Sequence, residues 1–190
     1  MSNSTLNVCC PPPTSLESAI TTLNACSSEV GQIQKLIFWR RGNSIASVAT
    51  ALIEATWDAL ILAIGDTRTI FSPFVANVDL PMNDPREFGG GNETRWASPK
   101  RKGSGSPVFS ATMYQADQDV ITSLKQLACE PLDVLFVNES DQLIYNENAS
   151  SEVEGFEIVH KSLFISDKSV GGLDDADYNT ITFNLKPNWS

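Results

Sequence analysis

The sequence contains one histidine and four cysteines among 190 residues, which restricts the chemistry that can be expected of it. Cys9, Cys10, Cys26 and Cys129 form no Cys-x-x-Cys pair, the spacing typical of zinc sites. Free, buried or partly buried thiols are the expected state, and a shared metal site or disulfides are the alternatives. His160 has no second histidine with which to build a metal site, so we expect a structural or surface role for it.

The motifs of common enzyme classes are also missing. There is neither a Gly-x-x-x-x-Gly-Lys-Ser/Thr loop nor a Gly-x-Ser-x-Gly elbow, and the triplet Gly89–Gly91 does not open a predicted helix. Asp117 and Asp119 form an acidic pair of a kind common on surfaces, and the acidic loop at 174–177 lacks the EF-hand pattern. We therefore expect no catalytic residue, no metal and no cofactor.

No long uncharged apolar run is present. The most apolar segment, Val48 to Ile64, contains Glu54 and Asp58, which are costly in lipid, so no membrane is expected as a partner. The first residues lack the basic and apolar regions of a signal peptide, so export by that route is not expected.

With 42% hydrophobic residues, the chain can form one domain, predicted at 31–190, preceded by an extended arm at 1–30 that includes three consecutive prolines.

The net charge of −10 is unevenly distributed along the chain. Residues 130–190 hold 12 acidic and 3 basic side chains, and therefore carry −9 of the total. Such a surface repels nucleic-acid phosphates, which argues against specific DNA or RNA binding by the body of the domain. The segment Lys100–Lys102 is a local basic exception.

Alternating or continuous apolar patterns predict several β-strands. The predicted strands are Gln32–Trp39, Arg68–Leu80 (with Pro73 at an edge or bulge), Pro107–Tyr114, Leu132–Asn138, Gln142–Tyr145, Phe156–Ser166 and Thr180–Leu185. The first of these is expected to be covered on both faces, and the fourth and fifth to form a hairpin.

Two helices are predicted. The first is capped by Asn43 or Ser44, ends at Gly65 and is expected to be largely buried. Its apolar stripe consists of Val48, Leu52, Ala55, Ala59 and Leu62, and Trp57 is expected in the core. The second helix follows Asp117 or Asp119 and ends before Pro131. Together these elements predict an α+β fold: a β-sandwich or half-barrel of mainly antiparallel strands with two packed helices.

Glycine and proline are concentrated between Gly65 and Ser106, and we expect much of this stretch to avoid regular secondary structure. Its second half, at about 81–106, is predicted to project as a long exposed arm, either an extended hairpin or a loop. The candidate contact residues toward another subunit are Arg95, Trp96, Lys100, Arg101 and Lys102, because arginine and tryptophan are enriched at interfaces. The alternative is a solvated loop without a partner.

Three segments carry a family resemblance. They are Gly31–Asn43, Gly89–Thr94 and Asp167–Ser190. They resemble segments of a family of virion structural proteins encoded by phages and prophages of Bacteroidetes, and the order of elements is similar to that of tail tube proteins. None of these segments identifies an enzymatic activity.

The resemblance implies a structural role in the virion, with assembly in the cytoplasm of the host bacterium. A tail tube-type subunit would close with copies of itself into rings, commonly of six, and the rings would stack into a conduit through which DNA passes without specific binding. Other virion proteins are further implied partners. The alternatives are a head decoration, neck or baseplate protein, and after these a small monomeric binding or enzymatic domain.

Overall fold

A computed structural model describes residues 31–93, 98–171, 175–187 and 189. The strands are β1 (Ile33–Arg40), β2 (Ser44–Ile45), β3 (Ile70–Phe71), β4 (Ala76–Asp79), β5 (Pro85–Phe88), β6 (Lys100–Ser104), β7 (Val108–Tyr114), β8 (Leu132–Asn138), β9 (Leu143–Ile144), β10 (Asn146–Glu147), β11 (Val153–Glu154), β12 (Phe156–Glu157), β13 (Phe164–Ile165) and β14 (Tyr178–Asn184). The helices are α1 (Val48–Ala51), α2 (Glu54–Leu62) and α3 (Gln118–Gln126). The predicted α+β fold of mainly antiparallel strands is confirmed, whereas the predicted arm at 1–30 lies outside the described residues.

Two antiparallel sheets face each other across the main core. One has the order β12-β8-β1-β3, with β9 also paired to β8, and the other has the order β13-β14-β7-β4. Aromatic rings bridge the gap: Phe109 of β7 stacks on Phe136 of β8 with ring centroids 5.5 Å apart, and Phe38 of β1 meets Phe183 of β14 edge to face at 6.1 Å. The alternating inward residues of both sheets thus form one sandwich core.

The central strand β1 is covered on both faces, as its continuous apolar pattern predicts. Leu36 and Phe38 point into the sandwich core, whereas Ile37 and Trp39 point to the opposite side. That second face is covered by α1, α2 and a small sheet of order β10-β11-β2. Trp57 of α2 is half-buried in this second cluster, which confirms its predicted core role.

Several strand predictions need correction. The predicted strand Arg68–Leu80 is divided into β3 and β4 around Pro73, which has no N–H with which to continue a ladder. The predicted strand Phe156–Ser166 is interrupted by a turn in which Lys161 has a φ of 63°, and His160 is exposed in that turn. The predicted last strand is present as β14 and lies inside its sheet, between β13 and β7.

The first predicted helix is also different from expectation. Ser44 and Ile45 pair with β11, so the helical part begins only after Ser47, whose hydroxyl accepts a hydrogen bond from the Thr50 N–H. The helix then breaks at Ile53, which has extended backbone angles. Because of this break, residues before and after Ile53 do not follow one continuous helical periodicity. The prediction of a single buried stripe from 48 to 62 is therefore wrong.

The second predicted helix, α3, is confirmed. The Asp117 carboxylate accepts a hydrogen bond from the Asp119 N–H at its start, and Ile121 and Leu124 are buried against the sandwich core. None of the helices within the described ranges is long and apolar enough to span a bilayer.

Candidate interaction surfaces

The strands β5 and β6 form a two-stranded ribbon, called the ribbon below. Of the two predicted forms of the arm, an extended hairpin or a loop, the structure has the hairpin, because Pro85 lies opposite Ser104 and Phe88 lies opposite Lys100 in an antiparallel register. Within the described residues, neither strand pairs with any other sheet. All four residues of β5 are exposed, so the ribbon has two solvent-accessible faces.

Consecutive glycines begin the turn of the ribbon. Gly89, Gly90 and Gly91 have φ values of 83°, 114° and 66°, a region that glycine enters at little cost and other residues rarely adopt. This stretch therefore provides the backbone freedom that its composition predicts. Arg95 and Trp96, two of the predicted contact residues, lie outside the described residues.

The other three predicted contact residues lie on β6. Lys100 and Lys102 are exposed, and Arg101 is opposite Glu87 in the strand pairing. The Lys102 ammonium lies 4.8 Å from the centre of the Phe88 ring, which is 47% exposed. Cations and accessible apolar surface thus occur together on the ribbon.

A second exposed surface was missed by the sequence prediction. Leu52, Ala55, Ala59 and Leu62, called the helical face below, point to solvent; Leu52 is 78% and Leu62 is 80% exposed. Ile64, just beyond α2, is 99% exposed. The sequence does contain a signal for this exposure, in the form of two acidic residues. Glu54 and Asp58 precede Leu62 at four-residue intervals, and charged side chains on one side of a helix favour contact with water over burial in a core.

Charge distinguishes the two surfaces. Residues 81–106, which include the ribbon, hold 5 basic and 3 acidic side chains, whereas residues 44–67, which include the helical face, hold 3 acidic and no basic ones. One of those three, Asp66, is paired with Arg40. Glu54 and Asp58 are exposed and form no ion pair with any other described residue. The same chain therefore displays a basic surface and an acidic one, each with exposed apolar groups.

An ion-pair network around the buried Asp133 carboxylate lies at the end of β1. The Arg41 guanidinium contacts Asp133 at 3.5 Å and Glu157 at 2.7 Å, and Lys186 is the second partner of Glu157. Burial raises the pKa of Asp133, although the Gly42 N–H and Arg41 oppose that effect. Because these groups join β1, β8 and β12, their arrangement supports the fold.

Few side chains in the described part of the chain suit metal chemistry. No group of three or more histidine, cysteine or acidic side chains is placed to bind a metal ion there. Cys129 is a free thiol and is exposed, which corrects the expectation of a buried or partly buried one. Cys9, Cys10 and Cys26 lie outside the described residues.

A shallow depression with a volume of about 290 Å³ lies between α3 and β13, and it includes Lys125 and Asp167. The Lys125 ammonium donates a hydrogen bond to the Asp167 carboxylate at 2.5 Å. This hydrogen bond lowers the pKa of Asp167, so the carboxylate is held ionised and paired.

Comparison with known proteins adds one distant similarity. No protein-family model matches the chain, and no curated protein matches it. A solved structure to which the chain is similar is a chain of the baseplate of the anti-feeding prophage, determined by cryo-electron microscopy with six-fold symmetry imposed. The two chains are 10% identical, with a TM-score of 0.36, and the similarity covers 85% of this chain and 93% of the other. A similarity of this size assigns neither fold nor function.

Proposed function

We propose that this protein is a structural subunit of a bacteriophage virion, of the tail tube type, which assembles with copies of itself into stacked rings. The observation that carries the proposal is the ribbon. An isolated two-stranded ribbon is only marginally stable in water, so one that presents Phe88 and several cations on open faces is expected to be ordered against a partner.

The resemblance of three segments to virion proteins of Bacteroidetes phages supplies the context. In this role the ribbon reaches from one subunit to the next, and the predicted contact residues Arg95, Trp96, Lys100, Arg101 and Lys102 lie in that contact. Repetition of such a head-to-tail contact closes a ring when its rotation is suitable. The partner of the chain is therefore first another copy of itself, and no catalytic residue is required.

The acidic final third suits a channel for DNA. Exposed carboxylates there, such as those of Glu139, Asp141 and Asp175, would face the lumen of the ring. Phosphates near such a wall are repelled and release no counterions to it, so DNA slides without being held.

Negative-stain electron microscopy and sedimentation velocity of the purified chain over a wide concentration range test this proposal. Closed rings and stacks of rings are the expected result, without detectable binding of duplex DNA at low salt. Monomers at every concentration would contradict self-assembly. Rings that never stack would instead indicate a neck, baseplate or head decoration role and would overturn the tube.

A further inference from the structure

We propose that the helical face of one subunit is the surface that receives the ribbon of the next subunit. This inference rests on the proposed self-assembly, and it identifies the receiving surface. The occupant of the helical face is thus a second copy of this chain.

Exposure is the first argument. Leu52 and Leu62 are mostly exposed, and Ala55 and Ala59 lie between them on α2. The remaining side of α2 is already used, because Trp57 and Leu60 pack on the second core cluster. Because apolar residues lie on both sides of α2, covering the second side would bury most of its apolar surface, as expected for a helix inside an assembly.

Charge complementarity is the second argument. Glu54 and Asp58 border the helical face and form no ion pair with another described residue, while Lys100 and Lys102 on the ribbon also have no acidic partner there. Pairing them across an interface would match opposite charges and fix the register of the contact.

Size and apolar content are the third argument. Nine residues of α2 extend about 12 Å, and the five residues of β6 extend about 13 Å, so the two elements can lie along each other. The exposed rings and chains of Phe88 and Met82, the latter 92% exposed, can cover the leucines. The contact thus combines an apolar centre with charges at its border, as protein interfaces do.

Charge reversal tests the inference. In one variant, Glu54→Lys and Asp58→Lys give the helical face the charge of the ribbon; in the other, Lys100→Glu and Lys102→Glu give the ribbon the charge of the helical face. Each variant alone places like charges together, so the concentration at which half of the chain assembles should rise by about tenfold or more. The control variant, Asp79→Lys with Asp119→Lys, makes the same change at two exposed carboxylates that belong to neither surface and should assemble like the wild type.

Mixing provides the decisive measurement. In an equimolar mixture of the two variants, each ribbon finds an oppositely charged helical face on the other variant, so alternating assemblies should form at nearly wild-type concentration. Circular dichroism and thermal unfolding of each variant separate loss of folding from loss of contact.

Two outcomes would overturn the inference while leaving self-assembly intact. One is a helical-face variant that assembles as well as the control. The other is loss of assembly by both variants without rescue on mixing, which would assign the helical face to another segment of the chain or to another virion protein. Failure of the wild-type chain to assemble would instead reject the proposed function itself.

Discussion

The indole rings of Trp39 and Trp57 stack with their centroids 6.4 Å apart and their planes 19° apart. Trp39 is buried in the central strand β1, and Trp57 is one of the α2 residues that pack toward the sheet, together with Leu60. The Trp57 indole N–H also donates a hydrogen bond to the Ala51 carbonyl oxygen at 2.8 Å, across the break between the two short helices. This contact holds α2 on the sheet and so determines which side of the helix remains exposed.

Replacement of Trp57 by alanine should destabilise the protein. The substitution removes the stacking on Trp39 and the hydrogen bond to Ala51, and we expect the free energy of unfolding to fall by about 2–4 kcal/mol. Urea unfolding of the monomer measures this change. The matched variant Leu62→Ala, at an exposed position of the same helix, should change the free energy by less than about 1 kcal/mol. Equal losses for the two variants would contradict the proposed orientation of α2.

Replacement of Gly155 by alanine should also destabilise the protein. A Cβ at this position would lie 2.8 Å from the Asp133 Cβ, 2.8 Å from the Trp39 indole nitrogen and 3.0 Å from the Val134 backbone nitrogen. Since two of these atoms belong to a packed strand, we expect a loss of about 1–3 kcal/mol in the free energy of unfolding. Gly105→Ala, where the nearest atom is the Asp84 carbonyl oxygen at 3.4 Å, is the comparison variant and should lose clearly less in the same denaturation experiment.

Replacement of Arg41 by methionine should destabilise the protein more at neutral than at acidic pH. The substitution leaves the buried Asp133 carboxylate without its cation, at a cost of roughly 1–3 kcal/mol near pH 7. The pKa of Asp133 is already raised by burial, and removal of Arg41 should raise it further. An acid whose pKa is raised by folding contributes stability that is fully present below its unfolded-state pKa. This contribution is lost as the pH rises through its folded-state pKa.

Denaturant unfolding of the wild type and Arg41→Met between pH 4 and pH 8 measures this dependence. The difference between the two should shrink as the pH falls toward 4, because protonation of Asp133 removes the charge that Arg41 neutralises. In an Asp133→Asn background, Arg41→Met should show a much weaker pH dependence. A pH-independent effect in the native background would mean that the role of Arg41 does not depend on the charge of Asp133.

Excision of the ribbon should abolish assembly and preserve the fold. The Gly105 N–H donates a hydrogen bond to the Asp84 carbonyl oxygen at 2.8 Å, so residues 85–104 can be removed and the two ends joined with little movement. Because β5 and β6 pair with no other described sheet, the unfolding temperature should change little. Sedimentation velocity should show monomers where the wild type forms rings. An excised chain that still forms rings would remove the ribbon from the interface.

The confirmed predictions are mostly local ones. The strands β1, β7, β8 and β14 follow apolar patterns of seven or eight residues, and α3 follows an acidic cap and a stripe that includes Ile121 and Leu124. Such signals depend on neighbours within one or two turns of chain, so they can be identified without knowledge of the fold. The candidate site was found in part: the basic triplet on β6 was singled out, whereas the helical face was assigned to the core.

The amino-acid sequence by itself determined the α+β class, the acidic final third and the isolation of a glycine-rich basic segment from the apolar strands, because composition and periodicity act locally. Only the tertiary structure decided that this segment pairs into a ribbon, that β14 lies inside its sheet and that Leu52 and Leu62 point to solvent. The physical reason is that burial is set by what covers a residue. The Trp57 ring stacks on Trp39, and this packing leaves the helical face on the other side of α2 without a covering element in the described part of the chain.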